Sequence, residues 1–362
     1  MKQRTRIPAL LCAVSLALSM AACSSTVSEE PSSVTSSSVS SETSSTAETI
    51  VPTETSEPAL SVDGEDVVSE EVSVPTVYMT TDISAESLVS IYEALNREAT
   101  GNVAVKISTG EPGSHYLDAD LIAGLVQSVD GTIVECNTAY SSNRASTAYH
   151  LQLAADHGYT AIADVDIMDA EGSITLPVEG GIHLTENLVG ESYDEYDFFI
   201  ILSHFKGHHM GGFGGAIKNM SVGIASSAGK CLIHSAGVST TDRMLNTTSQ
   251  DDFLETMAEA AKSVADDMGE NILYINVMNN LSVDCDCSAY GAEPSMEDIG
   301  ILASLDPVAL DQACVDLVYA APDGGDLIER MESRNAIHAL EHADAIGFGS
   351  REYELVNIDI AG

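Results

Sequence analysis

Apolar and polar positions follow two alternating rhythms along most of this chain. Short apolar runs rich in Val, Ile and Leu are each succeeded by a stretch in which apolar residues recur every three or four positions. The first rhythm reads as buried strand and the second as amphipathic helix. The pattern predicts strands at Asn102–Ser108, Gly131–Cys136, Phe198–Ser203 and Asn271–Val277. It predicts helices over Asp118–Val129, from about Asn143 to His157, from Gly214 to about Ala228, and over Asp251–Met268. Asp306-Pro307 opens a further helix, with aspartate as the cap and proline at the first helical position. Strand alternating with helix predicts an α/β fold, a largely parallel sheet flanked by helices, in one large domain or two lobes. Ligands of such sheets sit beyond the carboxyl ends of the strands. The loops after Ser108, Cys136, Ser203 and Val277 are therefore expected to converge on a pocket.

The rhythm is absent at the amino terminus. Lys2, Arg4 and Arg6 precede an apolar stretch, Ile7 to Met20, that is too short for a mature spanning helix, which reads as a signal peptide over residues 1–22. Its end, Ser19-Met-Ala-Ala-Cys23, resembles the lipobox of bacterial lipoproteins, which implies lipidation of Cys23 and anchoring to the outer face of the cell membrane. Residues 23–75 are mostly Ser, Thr, Glu, Val and Pro, a composition that cannot bury enough apolar surface to order itself. They are expected to be a disordered tether, leaving residues 76–362 as the α/β domain.

Charge narrows the partners. With 56 acidic against 14 basic residues the formal net charge is −42, so the chain offers no basic face for nucleic acid. Against that background the run His204-Phe-Lys-Gly-His-His-Met-Gly-Gly-Phe-Gly-Gly-Ala-Ile-Lys-Asn219 stands out. A buried strand opening into a glycine-rich loop and then a helix presents backbone N–H groups to a ligand. Here Lys206, Gly212, Gly214, Gly215, Lys218 and Asn219 are the candidate binding residues for a small anion or anionic cofactor. A cation gains nothing from the positive end of a helix, so Lys218 in the first turns points to a negative ligand. His208 and His209, adjacent and therefore expected to diverge, are candidates with Lys218 for proton transfer. His204, His208, Cys285 and Cys287 are the candidate metal ligands, the two cysteines lying on one side of an extended segment, with a disulfide between them as the alternative. Glu111 and His115 form a weaker acid–base candidate, and Cys314 falls in an apolar helical pattern.

Several motifs together carry a resemblance. Lys206-Gly-His208, Gly212-Phe-Gly-Gly-Ala-Ile-Lys-Asn219, Ala228-Gly-Lys230, His234-Ser235, Asp284-Cys-Asp-Cys287 and Asp306-Pro-Val-Ala-Leu-Asp311 resemble the domain-of-unknown-function family 362, whose members are often described as iron–sulfur centre proteins. Many of them carry a ferredoxin-like insert with Cys-x-x-Cys clusters, whereas Gly237 to Gln250 here contains no cysteine and Cys-x-x-Cys occurs nowhere. An iron–sulfur cluster is therefore not expected. Gly212 to Lys218 is also similar to a glycine-rich stretch of the lactate racemase family, which holds a nickel-pincer nucleotide. That likeness implies a metal-containing nucleotide, with His208 or His209 on the metal and Lys218 on the cofactor. Two functions follow as expectations: an enzyme outside the cytoplasm that uses a metal or anionic cofactor, or a lipoprotein module that binds an anion or metal without chemistry.

Overall fold

The apolar runs Phe198–Leu202 and Ile272–Ile275 lie side by side at the centre of one sheet. In the computed structural model, which describes residues 74–242, 248–288 and 292–360, the predicted rhythm becomes β1 (Thr76–Thr80), α1 (Ala85–Ala94), β2 (Val103–Lys106), α2 (Ala119–Ser128), β3 (Thr132–Glu135), α3 (Thr147–Asp156) and β4 (Val165–Ile167). A hairpin of β5 (Ser173–Pro177) and β6 (Glu186–Gly190) follows, then β7 (Phe198–His204) and a second hairpin of β8 (Lys206–His208) and β9 (Gly212–Gly214). Next come α4 (Ala216–Ser221), α5 (Ser227–His234), α6 (Gln250–Met268), β10 (Ile272–Met278) and β11 (Gly300–Ser304). The chain ends with α7 (Pro307–Ala320), α8 (Gly325–Ser333), α9 (His338–Ala345) and β12 (Glu354–Asn357).

Eight strands form the main sheet in the order β12-β1-β11-β10-β7-β2-β3-β4. All run the same way except β11, which is antiparallel to both neighbours. The expected largely parallel α/β sheet is therefore present, and the described residues form one compact unit rather than two lobes. The expected signal peptide, the expected lipidation at Cys23 and nearly all of the expected tether lie outside the described residues.

Burial explains why β7 and β10 read as unbroken apolar runs. Phe199 and Ile201 face the core built with α4–α9, while Phe198, Ile200 and Leu202 face the core built with α1–α3. A strand covered on both faces has no polar side to display. Each such side chain stabilises the fold by roughly 1.5–3 kcal/mol relative to exposure. Asp306 caps α7 as expected, its Oδ1 accepting from the N–H groups of Val308 (2.8 Å) and Ala309 (3.0 Å), and Cys314 is buried in the core.

The topology makes a crevice. From β2 the chain moves outward to β3 and β4, then crosses back to β7 on the opposite side of β2 and continues to β10. The loops leaving β2 and β7 thus diverge, which is the arrangement in which open α/β sheets bind ligands. One prediction needs correction here. The single helix expected from Gly214 to Ala228 is two, because the chain turns after Ser221 and restarts at Ser226, whose hydroxyl accepts from the N–H of Gly229. That break lets α4 stand over the crevice while α5 closes its side.

Candidate functional site

Asn219 pins the crevice open. Its Nδ2 lies 3.1 Å from Lys106 O on β2, 3.1 Å from Leu202 O and 3.1 Å from Ser203 Oγ on β7, and its Oδ1 accepts from Lys106 Nζ at 3.0 Å. With these bonds made, Asn219 is a clasp between two strand ends and at the same time part of the cavity wall. Around it lies a cavity of about 440 Å³ whose wall combines the ends of β2, β3 and β7, the β8–β9 hairpin, α4, α5 and the loop after β10.

The cations of this wall set its chemistry. Lys106, Arg144, Lys218 and Lys230 all line it. Lys106 is buried and its Nζ donates to Ile107 O (2.5 Å), Asn219 Oδ1 (3.0 Å) and Glu135 Oε2 (3.2 Å). Arg144 donates through Nε to Glu111 Oε1 at 2.8 Å and lies 3.7 Å from Glu135. Burial works against the Glu135 charge, but Lys106, His150 and Arg144 outweigh it and hold the carboxyl down at about 2. Asp286 pairs with Lys206 and His204, and Asp284 with Arg330 at 2.6 Å. Every carboxylate of the wall therefore already has a cation.

Two ammonium groups are left over. Lys230 Nζ donates to the Ala225 carbonyl at 2.6 Å, and neither Lys230 nor Lys218 has a carboxylate within ion-pair distance among the described residues. Burial, followed by the charge of Lys106, brings the Lys218 ammonium down to about 8. Gly214 leaves the space that the Lys218 stem occupies, since a Cβ there would lie 3.1 Å from Lys218 Cδ.

Both His208 and His209 line the cavity, with ring centroids 4.6 Å apart, so adjacency does not make them diverge as expected. His208 is buried and His209 exposed. His208 Nδ1 accepts from the N–H of Gly211 at 2.8 Å, which leaves its proton on Nε2 in the neutral ring. Burial, then the nearby Lys218, holds that ring neutral, well below the usual histidine range. Histidines that ligate metals through one nitrogen normally donate from the other. His208 does the opposite, so in the neutral ring its Nε2 is an N–H donor.

The expected metal set is partly taken apart. His204 Nδ1 faces Asp286 Oδ2 (2.8 Å) and Nε2 faces Asn279 O (2.7 Å), so both ring nitrogens are engaged. Cys285 and Cys287 are joined by a disulfide, which removes the thiolates a metal would need. His208, His209 and Cys287 nevertheless bring one potential ligand atom each within 4.8 Å of one another at the cavity.

The anion-binding residues are also redistributed. Lys206 Nζ is buried between Asp286 Oδ1 (2.8 Å) and His115 O (2.7 Å), a structural ion pair outside the cavity wall. Gly212, at φ 79°, lets the hairpin approach the turn after α8, where a Cβ would collide with Ala336. Gly215 makes room for Asp311, whose carboxylate accepts the first free N–H groups of α4, Ala216 (2.8 Å) and Ile217 (3.0 Å). The first two N–H groups of that helix are thus taken by the protein itself. Glu111 is held by Arg144, and His115 approaches Glu293 at 3.4 Å instead of Glu111.

Of the sequence-predicted residues, the cavity brings together Gly214, Gly215, His208, His209, Lys218 and the Cys285–Cys287 pair, with His204 and Asn219 in its wall. Lys106, Glu135, Arg144 and Lys230 were missed. Lys106 carried a signal, since a lysine closing the apolar run Val103-Ala-Val needs a buried partner.

Residues 103–316 match the model of a family described as Domain of unknown function (DUF362). No curated protein matches the chain. Among solved structures it is similar to the lactate racemase apoprotein from Thermoanaerobacterium thermosaccharolyticum, at 14% identity and TM-score 0.41, over 67% of this chain and 56% of that one. It is also similar to a crystal structure of a protein from Thermotoga maritima, at 13% identity and TM-score 0.37, over 72% of this chain and 58% of that one. The chain spans less than two thirds of either.

Proposed function

The chain belongs to the DUF362 family, and from the chemistry of its cavity we propose that it binds a multiply charged anionic small molecule or cofactor outside the cytoplasm. One observation carries the reading: Lys218 and Lys230 line the cavity with no carboxylate partner among the described residues, in a chain whose net charge is −42. The charge of Lys230 bears on Lys218 across their common wall, and keeping both ammonium groups desolvated is costly unless an anion joins them. A phosphate, diphosphate or dicarboxylate group between Lys218 and Lys230, with a further hydrogen bond from His208 Nε2–H, satisfies that need. An ammonium that titrates near 8 also exchanges protons readily, which suits chemistry on the bound molecule.

A metal centre at His208, His209 and Cys287 is the second reading, favoured by their proximity. It requires reduction of the Cys285–Cys287 bond and loss of the Gly211 N–H contact to His208, so the anion reading stands first. The tether and lipidated Cys23 hold the domain at the membrane surface, a proposal supported by the sequence alone and tested by fatty-acid labelling that Cys23→Ala abolishes.

Calorimetric titration with inorganic pyrophosphate tests the anion reading. Binding with one site per chain, weakened at least about tenfold by Lys218→Met and unchanged by the surface substitution Lys262→Met, is expected. Binding that Lys218→Met leaves intact, or no binding at millimolar pyrophosphate, would overturn it.

A further inference from the structure

A second constellation lies where α6 packs along α9 and receives the loop that ends at Leu184, and none of its members lines the cavity. Glu255 and Glu259 stand one turn apart on α6, and His338 and His342 stand one turn apart on α9. The loop contributes His183. Glu255 bridges two imidazoles, with Oε2 2.6 Å from His183 Nε2 and Oε1 2.8 Å from His338 Nε2. Asp252, one turn earlier on α6, completes a trio with His183 and Glu255 whose ligand atoms all lie within 4.8 Å of one another.

The surroundings hold these groups in place. Glu259 is fully buried and its carboxylate accepts from the N–H groups of Ile182 (2.7 Å), His183 (3.0 Å) and Leu184 (2.9 Å), which fixes the backbone that carries His183. Gly181 is needed for that collar, because a Cβ there would run into Leu184 O. His342 is buried, with Nε2 3.3 Å from Glu259 but without a hydrogen-bond partner among the described residues. His338 Nδ1 lies 3.8 Å from Glu341 Oε2, close enough for charge attraction but too far for a hydrogen bond. No lysine or arginine pairs with Glu255 or Glu259 among the described residues, and the side chains that face their carboxylates there are imidazoles.

The geometry points to a divalent metal site of the zinc class, held by His183 Nε2, Asp252 and Glu255, with His338 and Glu259 as positioning residues. Imidazole with carboxylates is a donor set that suits Zn²⁺ and neighbouring first-row ions. Unlike His208, His183 takes no backbone N–H at Nδ1 among the described residues, so its ring can carry the proton there and offer Nε2. Bonds of about 2.0–2.2 Å to one ion place tetrahedral ligands roughly 3.3–3.6 Å apart, so His183 and Glu255, now 2.6 Å apart, need separate by no more than ~1 Å. Three protein ligands leave a fourth position for water or for a group on a partner. The ion would replace proton-dependent contacts with fixed ones, and so lock the loop to α6.

Competition of the full-length protein against a chromophoric chelator measures the affinity for Zn²⁺, and Co²⁺ substitution reports the ligand types. One Zn²⁺ per chain is expected, weakened roughly 10–100-fold by His183→Gln and by Glu255→Gln, and unaffected by His209→Ala in the cavity. Near-ultraviolet circular dichroism checks that the variants fold. Should either variant fail to fold, the wild-type Co²⁺ spectrum decides: tetrahedral bands without thiolate charge transfer support the site. A thiolate band, Zn²⁺ binding lost only in His209→Ala, or no binding at micromolar Zn²⁺ would overturn it.

Discussion

Lys218 makes no ion pair with its surroundings among the described residues, and burial together with Lys106 lowers its ammonium to about 8. The sign of the resulting linkage is fixed. The ordinary value is 10.5, so in the unliganded fold the charged form is disfavoured, and an anion that binds the charged form must draw it back. Affinity for an anion is therefore full below about 8 and falls as pH rises above it, by up to about tenfold per pH unit for a single linked proton. A disulfonate, which stays ionised throughout, is the suitable probe; its binding at pH 7 and pH 9 should differ, and Lys218→Met should flatten that dependence. Equal affinity at both values in the wild type would show that Lys218 does not hold the anion. At this scale the sequence was legible where residues cluster along the chain, as His208, His209 and Lys218 do. It was silent where partners come from far apart: Glu135 meets Lys106 and Arg144 only after three loops fold together, and the pairing of Lys206 with Asp286 spans the whole of β10. His204 and Lys206 looked chemically available because the acceptors that occupy them lie more than seventy residues away.

Elements were legible in proportion to their burial on both faces. The central strands of the sheet and α2, α3, α6 and α7 follow from apolar periodicity, and Asp306 with Pro307 marks a helix start by local chemistry alone. The β8–β9 hairpin and the break between α4 and α5 do not, since glycine-rich segments carry little periodicity and their path is set by tertiary contacts. Asp311 is the contact that matters most there. It is buried on α7, raised to about 6 mainly by that burial, and accepts from Ala216 N, Ile217 N and Asn276 Nδ2 (2.7 Å). Asp311→Ala orphans three buried donors and is expected to cost about 2–4 kcal/mol in denaturant unfolding, with weaker anion binding as the Gly214–Gly215 turn loosens. A cost below about 0.5 kcal/mol would mean that α4 is positioned by something else.

On the scale of the whole molecule, the sheet order and the charge distribution make one argument. Divergent loops at β2 and β7 place the cavity at the point where the strand order reverses, and a chain with 56 acidic residues directs four of its 14 basic residues to that one wall. The strand alternation in the sequence foretold the first half of this; the second half emerges only when the four cations are seen to converge. The most direct test is a crystal structure of the protein purified from its native host, at a resolution that separates anions from metals. The account predicts tetrahedral or carboxylate density between Lys218 Nζ and Lys230 Nζ, with His208 Nε2 donating to it. A metal ion bonded directly to His208 Nε2, or an anion held elsewhere with Lys218 and Lys230 apart from it, would contradict the account.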